Sequence, residues 1–151
     1  MVAVSQTTQY RSRWRRRPTW PVLRFVDGQE EILLVVDEPL TFEIPQGPGR
    51  DPAVRHLVNV VRLKDLSLFI PTTMVWEMSD AVFRNIPADP REFWIRVARH
   101  GRGKHDTRYD IQVEWRASEK DLHAVSLKHP ICLELAAAET RARYTRRDRK
   151  I

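Results

Sequence analysis

Two stretches of alternating apolar and polar residues, joined by a short basic loop, constrain the fold of this chain most strongly. Residues 93–98 place Phe, Ile and Val at every second position, and residues 108–115 do the same with Tyr, Ile, Val and Trp. Alternation with a period of two is typical of a half-buried strand. The sequence therefore predicts two neighbouring strands with residues 100–106, which contain two glycines, as their loop.

Earlier residues have the composition of further strands. Residues 22–36 carry two apolar, β-branched runs separated by an Asp-Gly turn signal, and residues 40–44 alternate. Residues 53–63 are again apolar and rich in Val and Leu. Residues 66–70 are a possible additional short strand, reached by a turn.

Helical patterns occur after these strands and at the end of the chain. Apolar residues in 73–86 recur at spacings of three and four, and Pro87 ends the pattern. A short helix is predicted to begin at residues 118–121. Residues 131–147 are rich in Leu, Ala, Glu and Arg, which favour a longer helix whose last turns are basic.

This order of elements is that of an OB-fold, a small Greek-key barrel with a helix between its third and fourth strands. The fold class predicted is mainly β with minor α, specifically an OB-fold-like five-stranded barrel followed by a C-terminal helix. A small α+β sandwich would give the same order and is the alternative. The five strands of the barrel would be residues 22–36, 40–44, 53–63, 92–98 and 107–115.

Positive charge is concentrated at the two ends of the chain. Residues 10–20 contain five arginines and no acid, and residues 141–151 contain six basic residues and one aspartate. The formal net charge is +6, so residues 21–140 between them carry −4. Such ends favour a polyanion or an acidic partner. The predicted divisions are a basic N-terminal arm (1–17), an OB-like β domain (18–117) and a C-terminal helical segment with a basic tail (118–151).

Several functional classes have little support in the sequence. No apolar run of about 18 residues and no secretory signal is present, which favours a cytoplasmic protein without membrane contact. The one cysteine, Cys132, has no partner for a disulfide, and we interpret it as a buried thiol. His100 and His105 lack further ligands at metal-binding spacing. We expect no enzyme activity, cofactor or metal; acidic residues in 27–38 leave a metal-dependent nuclease as a minor alternative.

Short motifs in the predicted β domain resemble the single-stranded DNA-binding proteins of phages and mobile elements. They are residues 20–25 and residues 93–97, the latter leading through 101–104 to 107–109. The resemblance covers about residues 18–116 and implies an OB-fold and a role in DNA replication or recombination. The commonest bacterial proteins of this kind end in an acidic tip that recruits other proteins. This chain ends in Arg and Lys, so the resemblance does not extend to that recruitment.

Candidate nucleic-acid contacts fall into four groups. The N-terminal arm interleaves arginines with tryptophan, which suits phosphate pairing and base stacking. Trp94 and Arg96 share a strand face that would be exposed, unless the face assignment is inverted and Trp94 lies in the core. The loop after residue 100 adds basic residues and glycines, and the C-terminal tail binds either nucleic acid or an acidic neighbouring subunit. The candidates are Arg13, Trp14, Arg15, Arg16, Arg17, Trp94, Arg96, Arg102, Lys104, Arg108, Arg146 and Arg147.

We therefore expect a non-enzymatic protein that binds single-stranded DNA, or RNA, with low sequence specificity, alone or as a homo-oligomer. The alternative is a structural or assembly protein of a phage, mobile element or ribonucleoprotein complex. In that alternative the basic arms contact neighbouring subunits.

Overall fold

Six strands and three helices make up the part of the chain that the computed structural model describes, residues 20–68, 73–103 and 105–148. This confirms the mainly β class with minor α. The strands are β1 (Glu30–Val35), β2 (Leu40–Ile44), β3 (Ala53–Arg62), β4 (Met74–Ser79), β5 (Phe93–His100) and β6 (Arg108–Arg116). The helices are α1 (Asp80–Phe83), α2 (Glu119–Ser126) and α3 (Leu133–Asp148), and a 3₁₀ turn covers Leu63–Asp65.

The strands form one antiparallel sheet in which β1 and β2 behave as a single bent strand. Leu33 to Val35 of β1 pair with the last residues of β3, and all of β2 pairs with the first residues of β3. The Val36 N–H also donates to the Asn59 carbonyl, 2.9 Å away, so the two strands follow each other along one edge of β3. β4 pairs with the other edge of β3, β5 pairs with β1, and β6 pairs with β5.

The sheet is not closed into a barrel. Among the described residues, no ladder joins β4 to β6, and we call the gap between these two edge strands the seam. Residues 21–25 run along the β4 side of the seam, where Leu23 donates to the Val75 carbonyl at 2.8 Å. On its other side, Phe25 meets the Tyr109 ring of β6 edge-on, with 5.7 Å between centroids. The edge strands are therefore bridged by side chains rather than by backbone pairing.

One face of the sheet, which we call the inner face, carries the main core. Val82 and Phe83 of α1 and Tyr109 of β6 pack against this core. The buried residues of the core are Leu23, Phe25, Leu33, Val35, Val58, Val60, Trp76, Met78, Ile95 and Val97.

Two helices cover the opposite, outer face. α3 lies over β2, β3 and β4, where its small residues Ala136 and Ala137 are buried with the sheet's apolar side chains. α2 lies beside β1 and β5, where Val125 is buried with Trp94. Ser118 caps α2 by accepting from the Asp121 N–H at 3.1 Å, which fixes where that helix begins. Both faces of most strands are therefore buried.

The helix expected over residues 73–86 is mostly a strand. β4 occupies its first part, and only the four residues of α1 are helical. β4 has apolar side chains on both faces: Val75 on the outer face, and Trp76 and Met78 on the inner face. A strand that is buried on both faces no longer alternates apolar and polar residues. The spacing between its apolar residues can then match the spacing expected for a helix.

Other expected elements differ less. The predicted strand at 22–36 is divided into residues 21–26, which we call the seam segment, and β1. Residues 66–68 form a turn where an extra strand was considered. Residues 69–70 lie outside the described residues. The C-terminal helix predicted at 131–147 is confirmed as α3. Cys132 is exposed, which corrects the expectation of a buried thiol, because it precedes the first turn of α3 on its outward side. None of the described helices is long and apolar enough to cross a membrane.

Candidate anion-binding cleft

Trp94 is inaccessible to a nucleic-acid base, so its expected exposure is wrong. Its side chain is completely buried under α2, and its indole Nε1 donates to Asp121 Oδ2 at 3.2 Å. The alternation had assigned Trp94 correctly to the face opposite Ile95. That face was expected to meet solvent, but α2 covers it.

Arg96 is exposed in part but already neutralised. Its Nε donates to Glu114 Oε1 at 2.5 Å, and its Nη1 donates to Glu30 Oε1. These two hydrogen bonds, the one to Glu114 first, raise the pKa of the guanidinium. Arg96 therefore links three strands, and a phosphate would have to displace two carboxylates to reach it. The expectation that Arg96 offers a free cation is corrected.

The loop between β5 and β6 is closed by carboxylates. Gly101 N–H donates to Asp27 Oδ1 at 2.9 Å, and Gly103 N–H donates to Asp106 Oδ1 at 2.7 Å. Gly101 has a φ of +101°, where L side chains are rarely found, and a Cβ there would also overlap the Asp106 carbonyl. The glycines are therefore explained by the geometry of the turn. Their amide N–H groups already donate to carboxylates and are not available to a phosphate.

The remaining predicted cations differ in how they are placed. Arg102 is almost fully exposed, and its Nε lies 3.5 Å from Asp27 Oδ2. An exposed ion pair of this kind is weak, so Asp27 would compete little with another anion for Arg102. Arg108 is exposed and has no ion pair among the described residues. Lys104, the arm residues 13–17 and the side chains of residues 145–150, including Arg146 and Arg147, lie outside the described residues. Arg146 and Arg147 do belong to the α3 backbone.

A cleft opens at the seam, where no strand pairing closes the sheet. Its volume is about 460 Å³, within the range of small-molecule sites. Five parts of the chain form its walls: the seam segment, β4, β5, β6 and the C-terminal half of α3. The lining residues include Arg24, Trp76, Glu77, Arg99, Tyr109, Thr140, Arg143 and Tyr144.

Arg99 and Arg143 line this cleft, and neither has an ion pair within the described part of the chain. Arg99 Nη1 donates to the Phe25 carbonyl, and its Nη2 lies 3.4 Å from Thr107 Oγ1. Arg143 Nη2 donates to Thr140 Oγ1 at 3.3 Å. Both side chains are half-buried, and the Nε atom of each is buried with no hydrogen-bond partner. A buried donor without an acceptor is costly, and a cation without a counter-charge is more so.

The other charges of the cleft increase its positive character. Arg24 is exposed at its rim and has no ion pair among the described residues. The carboxylate of Glu77 is engaged by Arg55, with 3.3 Å between Arg55 Nε and Glu77 Oε1, instead of by a cleft arginine. Three arginines therefore face one carboxylate that is already neutralised. This arrangement suits an anion with several oxygen acceptors, for which guanidinium groups have matching geometry.

A second polar cluster connects Thr41, His56 and Asp80. His56 is buried, with Nδ1 2.9 Å from Thr41 Oγ1 and Nε2 2.8 Å from Asp80 Oδ1. The hydrogen bond from His56, and less strongly the charge of Arg84, lowers the pKa of Asp80. Phe83 stacks on the imidazole with 3.9 Å between ring centroids. The stacked, buried ring ties β2 and β3 to the start of α1, which is a structural role.

Sequence reasoning missed both unpaired arginines, although each has a signal. Arg99 continues the series of Ile95 and Val97 on the inner face of β5, so a charge follows two core residues in the same alternation. Arg143 is one helical turn after Thr140, which is buried on α3. A basic residue at a position that continues a buried apolar pattern is therefore a better indicator of a binding site than a basic residue within a run of charges.

Among the described residues, no group of three or more His, Cys, Asp and Glu side chains is placed to hold a metal ion. Comparison with protein-family models, curated proteins and solved structures finds no match to this chain.

Proposed function

We propose that this protein is a non-enzymatic binder of single-stranded nucleic acid, DNA in the first place, and that the seam cleft anchors the phosphate backbone. The observation that carries the proposal is the pair of half-buried, unpaired guanidiniums of Arg99 and Arg143 in one cleft. Phosphates of a nucleic-acid strand supply the missing acceptors and the missing negative charge together.

The order of strand pairing supports an OB-like interpretation of the sheet. If β1 and β2 count as one bent strand, five strands remain, and α1 follows the third of them, as the helix does in an OB-fold. OB-folds are partly open barrels, and the seam corresponds to such an opening. The loop from β5 to β6, which carries Arg102 and Arg108, is the one that borders the binding groove in that fold.

The position of the chain ends also supports the proposal. The basic arm joins the described chain at Trp20, two residues before Val22 in the cleft wall. At the other end, Arg146 and Arg147 follow Tyr144, another cleft residue, by two and three positions. Both cationic segments are therefore covalently attached close to the cleft. A strand held in the cleft would be within reach of both.

The salt dependence of oligonucleotide binding tests the proposal. If five to eight phosphates are contacted, log K should fall with log salt with a slope of about 3.5 to 5.6, near 0.7 per contact. Arg143→Gln should weaken binding and reduce the slope by about 0.7. Lys120→Gln removes one charge from exposed α2, away from the cleft, and is the matched control. Absence of binding at low salt, or equal effects of both substitutions, would refute the proposal.

An assembly role is the second candidate, and the free edge of β6 favours it. Apart from the β5 ladder, no backbone hydrogen bond engages residues 108–116 within the described chain. Val113 and Trp115 on this strand are 52% and 43% exposed. Unpaired edges with apolar side chains are sites of association. If removing residues 1–17 dissociates an oligomer but leaves oligonucleotide affinity unchanged, the assembly role replaces nucleic-acid binding as the function of the arm.

A further inference from the structure

We infer that the seam cleft is a seat for a single phosphate group, which Arg99 and Arg143 bind even when the phosphate is not part of a nucleic-acid strand. Its ligands would be small phosphate-bearing anions: inorganic phosphate, pyrophosphate or a nucleoside monophosphate. The inference concerns the same cleft as the proposed function, but it specifies a discrete subsite and a ligand class that can be tested separately.

The donors of the two arginines carry the inference. A guanidinium has five N–H groups; Arg99 uses two of them and Arg143 uses one in hydrogen bonds within the described chain. Both buried Nε donors have no acceptor among the described residues. A tetrahedral phosphate offers several oxygens to such forked donors. The cleft therefore has more donors than the protein itself satisfies.

The guanidiniums are held in position before any ligand arrives. The Phe25 carbonyl and the Thr107 hydroxyl fix Arg99, and the Thr140 hydroxyl, itself bonded to the Ala136 carbonyl at 2.8 Å, fixes Arg143. All of these partners are neutral, so they orient the cations without cancelling their charge. Preorganised donors lose little conformational freedom on binding.

The distribution of acidic residues supports a ligand rather than a structural role. Other arginines, such as Arg55, Arg62 and Arg96, form ion pairs with carboxylates within 4 Å. Among the described lining residues of the cleft the one carboxylate is that of Glu77, and it is bonded to Arg55 instead. Arginines kept for folding alone would gain from a carboxylate partner, whereas arginines kept for an anion must remain without one.

Thermal unfolding of the full chain in phosphate-free buffer tests the seat. Pyrophosphate, inorganic phosphate and thymidine monophosphate are added separately, each against sodium chloride at the same ionic strength, with thymidine as the phosphate-free control. We expect the three phosphates to raise Tm by about 3 °C or more at ten times their Kd, because a ligand that binds only the folded state stabilises it. Thymidine and chloride should not.

Variants separate this seat from general electrostatics. Arg143→Gln, on the cleft side of α3, should weaken pyrophosphate binding by about tenfold or more, because a charge-assisted hydrogen bond is lost. Arg99→Lys keeps a positive charge but loses the forked N–H donors of the guanidinium, so it should weaken pyrophosphate binding as well. Lys120→Gln should leave it unchanged. In phosphate-free buffer, Arg143→Leu should be at least as stable as the natural chain, which an arginine with a structural role would not allow.

The possible results distinguish this inference from the proposed function. If oligonucleotides bind but no small phosphate does, the seat is refuted while nucleic-acid binding stands. If small phosphates bind and lose affinity in the cleft variants but oligonucleotides do not bind, the seat stands and the proposed function fails. Equal losses in Lys120→Gln and Arg143→Gln would also refute the seat, since binding would then follow overall charge.

Discussion

Asn59 connects the sheet to the start of α3, and its removal should be among the most damaging single changes in this protein. The side chain is completely buried on β3. Its Nδ2 donates to the Ile131 carbonyl at 2.9 Å, and its Oδ1 accepts from the Ile131 N–H at 2.9 Å and from Thr73 Oγ1 at 2.7 Å. One carboxamide thus satisfies both backbone groups of a residue 72 positions later in the chain.

The expected cost of Asn59→Ala follows from the groups left without partners. The Ile131 N–H and the Ile131 carbonyl lose their hydrogen bonds in a partly buried environment. The buried Thr73 hydroxyl keeps only a long contact to the His129 carbonyl, at 3.5 Å. A buried polar group left unsatisfied costs about 1–3 kcal/mol. Because the chain can relax and water can enter, we expect a loss of about 3–5 kcal/mol in the free energy of unfolding. That is a large part of the roughly 5–15 kcal/mol available to a domain.

Urea unfolding followed by tryptophan fluorescence measures this loss. Asn85→Ala is the matched control, since Asn85 is exposed and its amide only donates to the Ala81 carbonyl at 3.3 Å. It should cost less than about 1 kcal/mol. If Asn59→Ala also costs less than about 1 kcal/mol, the amide bridge does not hold α3, and apolar contacts at residues 133–137 position that helix by themselves. Because α3 supplies Arg143, a destabilised bridge should also weaken anion binding.

Three further perturbations have defined outcomes. Trp94→Phe should destabilise the fold by about 1–2 kcal/mol through the lost indole hydrogen bond, yet leave oligonucleotide affinity unchanged; weaker binding without loss of stability would contradict its burial. Gly101→Ala should lower Tm measurably, because the positive φ and the Asp106 carbonyl both oppose a Cβ; an unchanged Tm would refute the strain. The pKa of Asp80 is lowered by His56, so its stabilising effect is complete above about pH 4 and is lost as the pH falls through the lowered value. Asp80→Asn should therefore flatten the acid side of a stability–pH curve, and an unchanged slope would exclude the Asp80 carboxylate as a source of it.

The β5–β6 pair was predicted well because its alternating pattern reflects a difference between its two faces. The β5–β6 pair was expected at 92–98 and 107–115 and is found within about two residues of both ranges, because its outer and inner faces differ in polarity. The C-terminal helix was likewise predicted from composition and found almost unchanged. β4 was missed because both of its faces are buried, which removes the difference on which the period depends.

The candidate site was less predictable, because alternation assigns residues to faces but does not say what covers each face. Trp94 was placed on the right side of β5, and only the packing of α2 decides that this side is closed. The cleft combines residues 22–26 with residues 140–144, more than a hundred positions apart, and no local pattern connects them. The pairing of the sheet, which leaves β4 and β6 unjoined, creates that proximity.

Local charge, rather than net charge, decides where an anion can bind on this protein. All but one of its twenty acidic residues lie in residues 21–140, which makes that body negative on balance. Many of these carboxylates are used within the sheet, for example by Arg62 and Arg96, and none neutralises Arg99 or Arg143. Although the chain has so many acids, two half-buried arginines have no ion pair among the described residues, close to where both basic ends are attached. If those ends served only solubility, the cleft between them would have no reason to remain cationic. The proposed anion, if it spans the cleft and reaches both ends, would account for the two arginines and for both basic segments.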